Sequence, residues 1–190
     1  RRLLVAAAAL LSVSAILGLI AQTSVLAGSL TEGLKGEALS AVVTGMALGK
    51  AAVARATAAM LALLGLLILR PGPTSWIAAA IFGAIATASF AWTGHAAASE
   101  GPGAQVHLLS DIVHGLAAAV WIGALAAFAG LLRARSTTKE SVEALHRALH
   151  GFAGTGTVRV GVLVATGLVN SWFLVGPDRI EGLWTTDYGQ

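Results

Sequence analysis

The chain has 190 residues, of which 56% are hydrophobic and only 11% charged, with a mean hydropathy of +0.81. A soluble domain carries about a quarter of its residues charged, so this composition excludes an ordinary water-facing domain and fits a chain immersed in lipid. The basic pI rests on 12 Lys and Arg against 9 Asp and Glu, too slight an excess to mark a nucleic-acid partner, and zero Cys excludes disulfides and thiolate metal sites.

Five apolar runs follow one another, each near the roughly 20 residues that a spanning helix needs. The first, Leu3 to Ala27, follows Arg1 and Arg2 and is too long for a secretory apolar region of about 7 to 15 residues. The second runs from about Lys50 to Leu69, with an apolar pattern that arguably opens near Ala38; Lys50 and Arg55 then either snorkel to the headgroups or serve a buried role. Arg70-Pro71-Gly72-Pro73 turns the chain into the third run, Trp76 to His95. Glu100-Gly101-Pro102-Gly103 leads to the fourth, about Val106 to Leu132, and the fifth covers about Phe152 to Val175.

Backbone polar groups in lipid must be satisfied within the segment, and no alternating barrel pattern appears. The expected fold is therefore all-α, a polytopic transmembrane helical bundle of about five spanning helices. One integral membrane domain is expected over residues 1–190. The absent initiator Met and the stop at Tyr188-Gly189-Gln190 suggest a piece of a longer protein, truncated at both ends. Gly154, Gly156 and Gly161 on the fifth run, and Gly115 and Gly123 on the fourth, suit close helix packing. Alternating loops collect Arg1, Arg2, Arg70, Arg133, Arg135, Lys139 and Arg147 on one side, against Lys35, Lys50, Arg55 and Arg179 on the other. The first side is expected to be cytoplasmic, which places the loop from His95 to His107 outside.

The fourth run opens with "HLLSDIVH", which sets His107, Asp111 and His114 on one helical stripe. His107 and His114 are about 10 Å apart along the axis at roughly 1.5 Å per residue, so they form a ladder rather than one chelate, with Asp111 a turn from each. His95, at the end of the third run, is a natural further ligand. Ionisable groups inside a span are costly and generally mark ion or substrate pathways. Imidazole and carboxylate donors suit Cu(II), Zn(II), Ni(II) or Fe better than Cu(I), although Met46 could supply one thioether. His146 and His150 also stand at metal-competent i, i+4 spacing, where a wet amphipathic turn beside Arg147 is the plainer reading. Arg159 and Asn170 lie within the fifth run and invite partners on another helix. Trp121 and Trp172 read as packing or interface aromatics.

"FAWTGHA" at Phe90 to Ala96, the His107, Asp111, His114 pattern, and "AAAVWIGAL" at Ala117 to Leu125 resemble the bacterial copper resistance D (CopD) membrane domain. "VVTGMALGKAAVAR" at Val42 to Arg55, "VATGLVNSWF" at Val164 to Phe173 and the terminal "TTDYGQ" agree with it, whereas Lys50 and "HRALHGFA" depart from its expected character. The resemblance implies a multi-pass inner-membrane protein of copper homeostasis that carries copper ions from the periplasm, with membrane lipid around it and a periplasmic CopC-like copper-binding protein as partner. It implies a non-enzyme, and a copper site of His95, His107, Asp111 and His114. The alternative of a different class is a haem-binding membrane redox protein with axial histidines on separate helices. A proton relay through Asp111 and the histidines is a third reading.

Overall fold

Apolar side chains around the whole circumference of a helix suit lipid, and the first long run folds accordingly as a single helix, α1 (Arg2–Ala27). It stops where Gly28 takes a left-handed conformation, with φ of 82°, which a side chain would disfavour. The computed structural model describes residues 1–133, 139–176 and 185; the expectations for Arg135, Arg179 and the "TTDYGQ" segment beyond Thr185 fall outside them. A short turn of helix, α2 (Leu30–Gly33), is capped by the Ser29 hydroxyl accepting from the Glu32 N–H at 3.1 Å, as orphan N-terminal donors require. Next come α3 (Gly36–Gly45), α4 (Ala47–Ile68) and α5 (Pro73–Ala88), then 3₁₀ turns at Ser89–Thr93 and His95–Ala98. The described chain continues with α6 (Ala104–Arg133) and α7 (Lys139–Val175), and every element among the described residues is helical. Among the described residues five stretches are long and apolar enough to cross a membrane: Arg2–Ala27, Ala47–Ile68, Pro73–Thr93, Ala104–Gly130 and Leu149–Val175.

Two boundaries differ from the sequence expectation for physical reasons. The second span has no continuous start near Ala38, because Met46 is extended (φ −116°, ψ 141°) and separates α3 from α4. Gly49 is buried there, and a Cβ on it would run into the Val42 carbonyl of α3, so only a bare backbone permits this approach. At the other end of the chain, the helix that carries the last span, Leu149–Val175, starts well before it, with His146 exposed ahead of the span. His146 and His150 both belong to this long helix, α7, which already begins at Lys139.

The chain forms two compact units, Arg1–Ala98 and Ser99–Gln190. In the first, α4 packs against both α1 and α5. Its buried face is mostly alanine, with Ala51, Ala52, Ala58, Ala59 and Ala62 alongside Gly49, Arg55 and Leu66, which brings helix backbones close where lipid gives no hydrophobic drive. Ala8, Ala62 and Leu66 form a cluster flanked by Val5, Leu63, Ala79 and Phe82. The Arg1 guanidinium donates to the Leu66, Leu67 and Leu69 carbonyls at the end of α4. Those are carbonyls that a helix C-terminus leaves unpaired, and the contact fixes α1 and α4 as antiparallel. Ser12 and Thr23 donate to Ala8 O and Leu19 O at 2.8 Å each, which satisfies their hydroxyls within the helix.

In the second unit, α6 and α7 lie side by side. Gly156 is buried with Trp121 3.6 Å from where its Cβ would stand, as packing glycines predict. Gly123 and Gly161 instead have nothing within 4 Å. Both sit on faces that are exposed among the described residues.

Candidate functional site

The polar residues of α6 meet those of α7 in antiparallel register. Reading down α6, His107 stacks on Phe173, Asp111 meets Asn170, and Ser110 and His114 meet Thr166. This column passes through two segments that each qualify as spans.

His107 is only 2% exposed. Its ring lies parallel to that of Phe173, with centroids 4.8 Å apart and an interplanar angle of 7°. Its Nδ1 is 2.6 Å from the Ser99 Oγ. The imidazole is thus held in plane by an aromatic and in azimuth by a hydroxyl, which is how a ligand ring is pre-oriented. Phe173 also sets the loop before α6: Gly103 has φ of 101°, and a Cβ there would stand 3.0 Å from the Phe173 ring.

Half-buried Asp111 accepts a hydrogen bond from Asn170 Nδ2 at 3.3 Å on its Oδ1. The other amide atom, Asn170 Oδ1, is buried and has no partner among the described residues. An unsatisfied buried acceptor costs about 1–3 kcal/mol, and this one stands beside the only acid of α6.

His114 supplies the sharpest geometry. Its Nδ1 is 2.9 Å from Thr166 Oγ1, and Thr166 Oγ1 is 2.7 Å from Val162 O and 3.3 Å from Leu163 O. A hydroxyl has one proton, and Thr166 gives it to a carbonyl of its own helix. With the proton directed to Val162 O, the Thr166 oxygen is an acceptor for the Nδ1–H of His114. In the neutral ring the lone pair then resides on Nε2, the tautomer that binds a metal ion. Ser110, buried, donates to Thr166 O at 3.2 Å and fixes the same turn of α7.

The four residues expected to hold a metal are therefore distributed as follows. His107, Asp111 and His114 share one column, each with its own partner on or near α7. His95 is exposed at the start of the 3₁₀ turn His95–Ala98, in the first unit. Among the described residues, no three His, Cys, Asp or Glu side chains gather closely enough to hold one ion. His146 and His150 are exposed on α7 next to Arg147, which pairs with Glu143 at 3.9 Å. Met46 caps the start of α4 and is 39% exposed.

Sequence reasoning singled out Asn170 but gave no role to Ser99, Ser110, Thr166 or Phe173. Thr166 and Asn170 share an i, i+4 face of α7 that also carries Phe173 at i+7. That stripe was the available signal; its opposition to the α6 stripe was not visible in one dimension.

Residues 1–106 match the family model described as copper resistance protein D-like, N-terminal domain. The match thus covers the first unit and ends just before His107. A copper resistance protein D of Pseudomonas syringae pv. tomato is 40% identical over 122 residues, 64% of this chain and 39% of that protein. A copper transport protein CutJ of Bacillus subtilis (strain 168) is 30% identical over 115 residues, 60% of this chain and 20% of that protein. The matched part of the chain spans well under half the length of either relative. No solved structure matches it.

Proposed function

Because the chain belongs to the copper resistance protein D-like family through its N-terminal domain, we propose that it conducts copper ions across a bacterial inner membrane as part of a longer protein. Both units form one membrane domain in this reading, and the ion is cargo. His107, Asp111 and His114 are successive stations on α6, entered from the periplasmic end, and His95 on the first unit is a further ligand candidate. A periplasmic CopC-like protein delivers the ion.

The observation that supports this most directly is the 2.9 Å contact between His114 Nδ1 and Thr166 Oγ1, inside a membrane span; with Nδ1 protonated there, Nε2 is left as a metal donor. Asp111, one turn away, adds the negative charge that a divalent cargo needs where lipid excludes water. Spacing between stations lets the ion exchange one ligand at a time, which conduction requires if binding is not to become a trap.

Element analysis of the full-length protein purified in detergent, reading copper and iron together, tests this. Near-stoichiometric copper without iron is expected, with His114→Ala losing most of it and His146→Ala keeping it. Near-stoichiometric iron would replace copper transport by the haem reading, and equal loss in both variants would remove His114 from the path.

A further inference from the structure

We propose that the cavity beside Arg55 in the first unit is a binding site for a compact anion, seated against the guanidinium within the membrane span. Arg55 lies about 12 Å along α4 from Ala47, at roughly 1.5 Å per residue. The residue is 8% exposed. Its Nε donates to Ser89 Oγ at 3.0 Å, and its Nη2 donates to Ser89 O at 3.0 Å and to Thr93 Oγ1 at 3.3 Å. The guanidinium lies over the Phe90 ring, 3.5 Å from its centroid.

Every one of these partners is neutral. Among the described residues no carboxylate forms an ion pair with Arg55; Glu32 pairs with Lys35 and Glu143 with Arg147. A buried cation without a counter-charge is among the costliest arrangements a membrane span can hold. Three of the five guanidinium protons are used by the bonds above, and the two on Nη1 are not.

Beside this group is a cavity of about 220 Å³ lined by Gly18, Leu19, Gln22, Leu48, Ala52, Arg55 and Thr93. Its polar lining selects by sign. Thr93 gives its hydroxyl proton to Phe90 O at 2.8 Å and its oxygen to Arg55, so the donors left for a ligand are Arg55 Nη1 and the Gln22 amide. A metal ion would meet an uncompensated positive charge there, while an apolar ligand would strand the guanidinium protons. A compact anion satisfies both and neutralises the charge. The volume admits a halide or a phosphate-sized group with a few waters, each of which occupies about 30 Å³. The anion comes either from the aqueous phase or from a lipid headgroup, and both offer the same chemistry.

Thermal unfolding of the full-length protein in detergent, with chloride replacing bulky gluconate at constant ionic strength, reads the site. A ligand that binds only the folded state raises Tm saturably, and a rise of roughly 3 °C or more is expected. Arg55→Gln should abolish it. Gln22→Leu, at an exposed position that the fold does not depend on, should raise the half-saturating chloride roughly tenfold, the effect of losing one hydrogen bond to a charged group. A parallel series adds phosphatidylglycerol against phosphatidylcholine. A chloride response sensitive to Gln22→Leu supports a water-borne anion, and a phosphatidylglycerol response with that sensitivity and no chloride response supports a headgroup. Identical responses in the wild type and Gln22→Leu, or no response of the wild type to either anion, would overturn the site.

Discussion

One hydroxyl on α7 decides which nitrogen of His114 can act. If Thr166 spends its proton on Val162 O, 2.7 Å away, its oxygen accepts from His114 Nδ1, and removing that oxygen frees the ring to take either tautomer. Thr166→Val should weaken copper binding about tenfold or more, the usual cost of losing the partner that orients a ligand histidine. Thr166→Ser should retain it. Imidazole ¹⁵N shifts of His114 in the apo protein check the cause separately: a single Nδ1-protonated form is expected in the wild type and a mixture in Thr166→Val. An unchanged tautomer in Thr166→Val would show that the hydroxyl does not set it. The histidine was legible in the sequence because an ionisable group in a span stands out against lipid. Its partner was not, because threonine is ordinary in membrane helices and the pairing of the α6 stripe with the α7 stripe does not show in one dimension.

The long helices were legible as elements because each apolar run has the length that a bilayer dictates. What the runs concealed was the break at Met46, which is set by contact between two helices and not by local propensity. Gly49 is the residue on which that break depends, since its missing Cβ lets the first turn of α4 lie against the Val42 carbonyl. Backbone cannot yield as a side-chain tip does. Gly49→Ala should therefore destabilise the protein by about 3 kcal/mol, at the upper end of overpacking costs. Gly83→Ala on α5, where nothing stands within 4 Å of the new methyl, should be neutral or stabilising, because alanine is the better helix former. Thermal unfolding of the two variants side by side would show the split, and equal Tm values would mean that the α3–α4 junction tolerates a side chain. Lys50 and Arg55 also separate at this scale. Both looked alike in the sequence as cations near one end of a span, but Lys50 is exposed whereas Arg55 is buried against the turn after α5. Five residues apart on a helix is about 140° of rotation at 3.6 residues per turn, enough to place one cation outside and the other inside.

For the whole molecule the functional reading depends on which way the bundle faces. Arg1 caps the end of α4, so the start of the first span and the end of the second share one membrane face with Arg70. The Glu32–Lys35 turn lies on the other, and one further span carries the chain back to that face at His95. Arg1, Arg2 and Arg70 gather on one side, which we propose is the cytoplasmic one. The chain has no Cys, so single engineered cysteines report position without background from this segment. Lys35→Cys and Glu100→Cys should react with a membrane-impermeant maleimide on intact spheroplasts, and Arg70→Cys only after permeabilisation. The reverse pattern would put His107 at the cytoplasmic end of its helix. The ladder would then receive copper from inside the cell, and the proposed direction of capture would have to be inverted even if every ligand assignment stood.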